Sequence, residues 1–208
     1  MKVLVAADGE CSLTKELLEE RVGKFDKIIV ADGALRHIHA LGLTPDYIVG
    51  DLDSVDRSLL AGYKNAIIEE YPKDKDKTDL QIAAEKALSF LPSNLVFIGI
   101  FGGRVDHQLG NLFLLSTFQV DNIRVEDKNF SCFVMNHTKK LQLSSGSGFS
   151  LIPLTQYVHG VTITGAKWNL SDRTLSIGAP TAICNEFLDG HIEISLKEGS
   201  LLVICNNY

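Results

Sequence analysis

The chain has 208 residues, 45% of them hydrophobic and 22% charged, enough apolar material to bury one large core or two small ones. Its 20 basic and 26 acidic side chains leave a net charge of -6, which speaks against nucleic-acid binding through bulk charge. No apolar run approaches the roughly 18 residues of a membrane span. The four cysteines, Cys11, Cys132, Cys184 and Cys205, form no C-x-x-C pair, so reduced thiols in a cytoplasmic protein are expected rather than a zinc site or redox motif.

From the N-terminus, residues 3–6 read as a strand rather than a signal peptide, because the apolar run is short and Asp8 and Glu10 follow it. Ser12 is the expected cap of a helix with Leu13, Leu17, Leu18 and Val22 on one face. Strands over 27–30, 47–49, 66–68, 95–100 and 122–125 alternate with helices over 34–41, 79–90 and 105–118. Strands spaced by helices predict a mostly parallel, Rossmann-like α/β sheet covered on both faces. Beyond Glu126 the pattern changes. Short alternating runs recur at 132–135, 140–143, 149–152, 158–164, 174–177, 191–195 and 201–205, with a turn at 144–148, and no helix is predicted. The expected organisation is an α/β domain over 1–126 and an all-β sandwich or jelly-roll-like domain over 127–208.

In an open α/β sheet, ligands bind beyond the carboxyl ends of the strands, and the polar clusters fall there. Asp32-Gly33 follows the second strand. Asp51 and Asp53 follow the third, in Gly50-Asp51-Leu52-Asp53-Ser54. The run from Lys73 to Asp79 follows the fourth, and Gly102-Gly103-Arg104-Val105-Asp106-His107-Gln108 follows the fifth. Two carboxylates one residue apart repel unless a cation lies between them, and Mg²⁺ is the usual partner where phosphates are handled. Each cluster has a bland alternative. Asp, Gly and Ser are ordinary turn residues, Thr78-Asp79 suits a helix start, and a charged run is by default a solvated loop. Convergence of four loops on one sheet edge favours a shared site.

Polyphosphate chemistry suits the set. Gly102-Gly103 lets backbone approach a phosphate, Arg104 offers a bidentate donor, Lys75 or Lys77 neutralises charge, and Asp51, Asp53, Asp79 and Asp106 are candidates for metal binding or for handling a hydroxyl proton. There is no G-x-x-x-x-G-K-[ST] loop and no dinucleotide fingerprint. In the β half, Trp168 offers a face for a flat, partly cationic heterocycle and Asn185 a donor and an acceptor. Sandwich core is the stronger reading of Trp168 from sequence alone.

Together these motifs resemble the thiamine pyrophosphokinase family nearly end to end. Thr44-Pro45-Asp46 leading to Gly50-Asp51-Leu52-Asp53-Ser54, then Pro72 with Lys75-Asp76 and Thr78-Asp79, then Gly103-Arg104 with Asp106-His107 and Asn111 carry the N-terminal resemblance. Pro153-Leu154, Gly165, Lys167-Trp168-Asn169-Leu170 and Asn185-Glu186-Phe187 carry the C-terminal one. The resemblance implies a homodimer with active sites at the subunit interface, an ATP-binding α/β domain, a β domain that completes the thiamine site, a Mg²⁺ requirement, and transfer of the terminal pyrophosphoryl group of ATP to the thiamine hydroxyl with release of AMP. It implies Asp51, Asp53 and Asp79 as metal and phosphate carboxylates, and Asp106 near the reacting hydroxyl with Gln108 close by. It also implies Asp32, Gly33, Lys75, Thr78 and Arg104 as nucleotide contacts, and Trp168, Cys184 and Asn185 beside thiamine. Two departures stand out. The family's Asp-Gly-Gly-Ala-Asn reads Asp32-Gly33-Ala34-Leu35-Arg36 here, and its serine before the late asparagine is Cys184. The alternatives are a pyrophosphokinase or kinase for another heterocyclic alcohol, and a non-catalytic nucleotide- or thiamine-binding module.

Overall fold

Parallel β–α alternation organises the first part of the molecule. The computed structural model describes residues 1–142, 147–188 and 191–206. It divides into two compact units, Met1–Leu114 with Phe118–Lys128, and Leu115–Thr117 with Asn129–Tyr208. The first unit runs β1 (Lys2–Ala6), α1 (Lys15–Val22), β2 (Lys27–Ala31), α2 (Leu35–Ala40), β3 (Tyr47–Gly50), α3 (Arg57–Leu60), β4 (Ile67–Glu70), α4 (Asp79–Leu88), β5 (Asn94–Ile98), α5 (Val105–Leu115) and β6 (Asn122–Glu126). Its strands are all parallel, in the order β6-β5-β1-β2-β3-β4.

The near-continuous apolar runs of β1, β2 and β5 follow from burial on both faces. Leu4, Ala6, Val30, Ile48 and Ile98 meet Leu18 of α1 and Leu35 and Ile38 of α2. On the opposite face, α4 packs over β1, β2 and β3, presenting the buried Leu80, Ala83, Ala84 and Ala87.

Local chemistry moved some boundaries. Helix α1 starts at Lys15, because Thr14, not Ser12, takes the extended cap conformation and accepts a hydrogen bond from Leu17 N. Helix α3 was not predicted. Its four residues are too few to show periodicity, and Asp56 creates it by accepting from Ser58 N at 2.8 Å and from Leu59 N. Helix α5 ends three residues before Phe118, which stacks on Phe97 with ring centroids 6.1 Å apart.

The chain steps outward from β1 to β4, then returns to place β5 on the other side of β1, so the strand order reverses between β1 and β5. Such a reversal usually opens a ligand crevice. Here it is sewn shut: Ala7 N donates to Ile98 O at 2.9 Å, Gly9 N to Gly99 O at 2.7 Å and Glu10 N to Phe101 O at 2.6 Å. A Cβ on Gly9 would lie 2.2 Å from Phe101 O, so only glycine permits this closure. A cavity is lined by Asp51 and Leu52 after β3 and by Ile68 and Glu70 of β4.

The second unit is all antiparallel in its strand pairing. It contains β7 (Phe130–Met135), β8 (Lys139–Gln142), β9 (Gly148–Pro153), β10 (Tyr157–Thr164), β11 (Leu170–Ser176), β12 (Asn185–Glu186), β13 (His191–Ser195) and β14 (Leu201–Asn206). The strand orders are β12-β9-β14-β7 and β11-β10-β13-β8. Phe149, Leu151, Val161, Ile163, Ile194 and Val203 are among the residues of its core, the sandwich arrangement expected from alternating strands. Strand β11 begins four residues before the predicted 174–177 run. Asp172 sits at φ 49° and the β10–β11 register shifts twice, which breaks the alternation that sequence reading depends on. The two-residue β12 is too short to predict. The turn expected at 144–148 lies outside the described residues over 144–146.

Candidate active site

Asp32, Asp51 and Asp53 come together beyond β2 and β3, each offering an oxygen within 4.8 Å of the others. Asp32 opens a 3-10 turn directly after β2, at φ 41°, and is 7% exposed. Its Oδ1 is buried with no hydrogen-bond partner among the described residues, an arrangement that costs stability unless something else satisfies it. Burial pushes the Asp32 carboxyl up. A hydrogen bond from Ser54 opposes this, and the charges of Asp79, Asp51 and Asp53 add to it.

Gly50 makes the cluster possible. Its φ is 148°, and a Cβ there would lie 2.8 Å from the Asp32 Cβ and 3.2 Å from Asp79 Oδ1. The glycine lets the end of β3 press against both aspartates. Asp51 and Asp53 then form a tight turn, with Asp53 N donating to Asp51 Oδ1 at 3.2 Å and Ser54 Oγ to Asp53 Oδ1 at 3.0 Å. Lys73 pairs with Asp53, and its hydrogen bond, with that of Ser54, holds the Asp53 carboxyl below the usual carboxylate range.

Lys75 is the internal counter-charge. Its side chain is 14% exposed, with Nζ 2.9 Å from Asp79 Oδ1 and 3.7 Å from Asp51 Oδ2. Burial alone would lower the Lys75 pKa, but Asp79 and Asp51 outweigh it and the net shift is upward. Asp79 thus stands beside the triad, bound to Lys75, while Asp32, expected only as a nucleotide contact, joins Asp51 and Asp53. Sequence reading had no means of separating these roles, because the three loops are distant in the chain and equally acidic. The donor set fits a hard divalent cation: three carboxylates on one locus, one carrying an orphaned buried oxygen.

The remaining expected residues sort themselves. Thr78 caps α4 by accepting from Gln81 N at 3.2 Å. Gly33 lies against Asp8, whose carboxylate would be 2.7 Å from a Cβ there. Arg36, where the family has asparagine, pairs with Asp8 at 2.9 Å. Arg104 and Asp106 form an exposed bidentate pair, Nε to Oδ1 at 3.1 Å and Nη2 to Oδ2 at 2.5 Å. The Arg104 hydrogen bonds hold the Asp106 carboxyl down at about 2. Gln108 N donates to Arg104 O at 3.1 Å in the first turn of α5, and Gly103 faces open space. Asp46, part of the Thr44-Pro45-Asp46 motif, lies at the other end of β3. It accepts from Ile28 N at 2.8 Å and pairs with Lys27 at 2.7 Å, a structural tie remote from the triad.

In the second unit Trp168 is 55% exposed and lies outside the core, contrary to the core reading. Lys167 Nζ sits 4.8 Å from its ring centroid while pairing with Glu186 at 2.8 Å. Asn185 is buried and turned to the backbone. Its Oδ1 accepts from Trp168 N at 3.1 Å and from Glu186 N at 2.9 Å, and its Nδ2 donates to Trp168 O at 2.7 Å. It fixes the Trp168 loop and leaves the ring to face outward. Cys184 is exposed at φ 60°, held by a bond from its N to Ser150 Oγ at 3.1 Å.

Comparison with known proteins gives consistent results. The family model described as "Thiamin pyrophosphokinase, catalytic domain" matches residues 18–126, more than half of the chain. The model described as "Thiamin pyrophosphokinase, vitamin B1 binding domain" matches 136–201. Thiamine pyrophosphokinase of Bacillus subtilis (strain 168) is 28% identical over 200 residues, covering 91% of this chain and 93% of that protein. Thiamine pyrophosphokinase 1 of Oryza sativa subsp. japonica is 30% identical, over 68% of this chain and 58% of that longer protein. The crystal structure of the Bacillus subtilis thiamine pyrophosphokinase superposes with a TM-score of 0.85 at 25% identity, over 99% of both chains. That of yeast thiamin pyrophosphokinase, at 16% identity and a TM-score of 0.79 over 99% of this chain and 86% of that one, shares the fold.

Proposed function

The chain belongs to the thiamin pyrophosphokinase family, whose members transfer a pyrophosphoryl group from ATP to thiamine, and from that premise we propose how its own side chains divide the work. The single observation that carries this assignment is the gathering of Asp32, Asp51 and Asp53 at one locus, with Lys75 and Asp79 beside it. Asp32, Asp51 and Asp53 would hold Mg²⁺, and Asp79, paired with Lys75, would keep that lysine beside the cation and phosphates. The cation, when bound, neutralises polyphosphate charge. Lys75 and Lys73 exchange their aspartate partners for phosphate oxygens, and Arg104, already a bidentate donor, takes another part of the chain of phosphates.

The thiamine hydroxyl oxygen attacks the β-phosphorus. The bond between that phosphorus and the oxygen bridging to the α-phosphorus breaks, and AMP departs with the bridging oxygen. Positioning and charge neutralisation supply most of the acceleration in such transfers. The hydroxyl proton is lost to solvent or to a phosphate oxygen as the new P–O bond forms, since such transfers need no strong base. The role of Asp106, ionised with a pKa of about 2, is to orient the hydroxyl by accepting its hydrogen bond. In the C-terminal unit the exposed Trp168 ring stacks on the thiamine heterocycle, and Asn185 holds the loop that carries it.

The protein acts as a homodimer. The exposed apolar Val105, Leu109 and Phe113, four residues apart along α5, support this. Among the described residues no helix is long and apolar enough to cross a membrane.

The test is incubation with ATP, Mg²⁺ and thiamine, with AMP and ADP quantified separately by mass analysis. AMP is the expected product. Asp51→Asn and Asp79→Asn should each lower turnover about 100-fold or more, in line with lost electrostatic stabilisation, with unchanged circular dichroism. Near-normal turnover in both variants removes the carboxylate assignment.

A further inference from the structure

Resting on that reading, we infer that Lys75 is a specificity-determining residue of the site: an internal counter-ion that weakens the carboxylates' hold on a bare divalent cation and ties tight metal binding to the arrival of polyphosphate. The triad comes with ammonium partners of its own. Asp51 Oδ1 accepts from Asp53 N at 3.2 Å, and Asp51 Oδ2 faces Lys75 Nζ at 3.7 Å. Asp53 Oδ1 accepts from Ser54 Oγ at 3.0 Å, and Asp53 Oδ2 pairs with Lys73 Nζ. Two of the three carboxylates therefore have a lysine at their second oxygen.

Three observations single out Lys75 over Lys73. The Lys75 side chain is 14% exposed and that of Lys73 78%, so the charge of Lys75 is little screened while that of Lys73 is blunted by water. Lys75 also lies three residues ahead of Thr78, the cap of α4, at the helix end whose dipole repels cations. The charges of Asp79, at 2.9 Å, and Asp51 hold it there against that field. Finally, the buried Asp79 Oδ1 has Lys75 Nζ beside it but no aligned hydrogen bond among the described residues. The pair is held by charge rather than by direction, and an ammonium on a flexible stem can turn to a new partner.

The electrostatics then run one way. A divalent cation drawn to Asp51 meets the Lys75 ammonium on the same carboxylate, and like charges repel strongly in a part-buried site. Polyphosphate relieves that repulsion, because its oxygens accept from Lys75 and leave Asp51 to the cation. Each ligand strengthens the other by the same factor. The bare metal is held weakly, and the metal with polyphosphate tightly.

The experiment measures two dissociation constants. That of Mn²⁺ alone is read from the electron paramagnetic resonance of the free ion. That of Mn²⁺-loaded α,β-methylene ATP, which cannot be cleaved between its α- and β-phosphorus, is read by calorimetry. Wild type is compared with Lys75→Met, Lys75→Gln, Lys75→Arg and Lys73→Met, each checked by circular dichroism. Lys75→Met should bind Mn²⁺ alone at least about fivefold more tightly and the loaded analogue at least about fivefold more weakly, the lower end of ordinary coupling between sites. Lys75→Gln shifts both constants in the same directions and stands in if the methionine variant does not fold. Lys75→Arg keeps the charge and stays near wild type. Lys73→Met, screened by water, changes Mn²⁺ affinity by less than about twofold.

The opposite signs are the signature. A residue that only braces the loop loses metal affinity when removed, and one that only grips phosphate leaves it unchanged. Affinity for Mn²⁺ alone that is equal to or weaker than wild type in the folded neutral variants overturns the inference. So does an equal tightening in Lys73→Met, or loss of the fold in both neutral variants, which would make Lys75 a structural brace. The two readings fail separately: wild-type protein that yields no AMP from ATP and thiamine overturns the proposed reaction, while a metal affinity indifferent to Lys75 overturns the counter-ion role alone.

Discussion

Asp32→Asn is the most incisive perturbation of the carboxylate cluster. Each of Asp32, Asp51 and Asp53 has an oxygen within 4.8 Å of the others. Two unit charges at that distance repel by about 3.5 kcal/mol at an effective dielectric of about 20. Lys73 and Lys75 offset part of this, and the Asp53 side chain is partly wet, so the net strain relieved by removing the Asp32 charge is about 1–2 kcal/mol. The asparagine is nearly isosteric, and its amide can donate to Asp51 or Asp53. In chelator at neutral pH the variant should therefore melt higher than wild type, by about 2–8 °C for a chain of this size.

In Mg²⁺ the order should reverse. A cation at one hundred times its dissociation constant stabilises wild type by about 2.7 kcal/mol, and the variant loses most of that gain along with turnover. The pH dependence has a definite sign. Because the folded Asp32 carboxyl binds its proton more tightly than the unfolded one, the contribution of Asp32 to stability in chelator rises as pH falls through the raised pKa, and that rise is complete below the ordinary carboxylate value of 3.8. The variant lacks this contribution. Thermal unfolding with and without Mg²⁺, repeated from pH 7 to pH 4, reads all three effects. A variant that is less stable in chelator and is still stabilised by Mg²⁺ as much as wild type refutes the reasoning.

Further outcomes follow from the same geometry. Gly50→Ala places a Cβ 2.8 Å from the Asp32 Cβ at a φ of 148°. It should cost about 1–3 kcal/mol in urea unfolding and abolish Mg²⁺-induced stabilisation. Asp106, depressed by Arg104, contributes stability that is fully present above 3.8 and lost as pH falls through about 2. Carboxyl NMR should find it ionised at pH 3, and Arg104→Gln should return its midpoint toward 3.8. Asn185→Ala leaves the Trp168 backbone N–H and C=O without their partner. The expected loss is about 1–3 kcal/mol with a raised KM for thiamine, whereas an unchanged KM would detach Asn185 from the Trp168 loop's function.

Much of the architecture was legible before any coordinates. Apolar runs such as 28–31 and 95–98, short and rich in β-branched residues, read as strands buried on both faces, and the glycines and aspartates that follow them mark the loops at their carboxyl ends. Boundaries were less legible where a side-chain hydrogen bond decided them, as with Thr14 ahead of Ser12 or Asp56 creating α3. Asp46 and Asp51 show the same limit for function. They are five residues apart in one motif, yet β3 separates them, and one ties down β2 while the other faces the site.

The chain by itself determined which groups were available: the order of the strands' apolar cores, the supply of carboxylates after them, and the motif spacing that places the protein in its family. Tertiary structure decided which of those groups meet. Asp32 rather than Asp79 completes the carboxylate triad because Gly50 lets β3 close onto β2. Lys75 becomes a counter-ion because α4 brings Asp79 to it, and Trp168 faces outward because Asn185 takes its backbone. Charge repulsion, burial and hydrogen-bond satisfaction all act across space, and none of them is written in the distance between two residues along the chain.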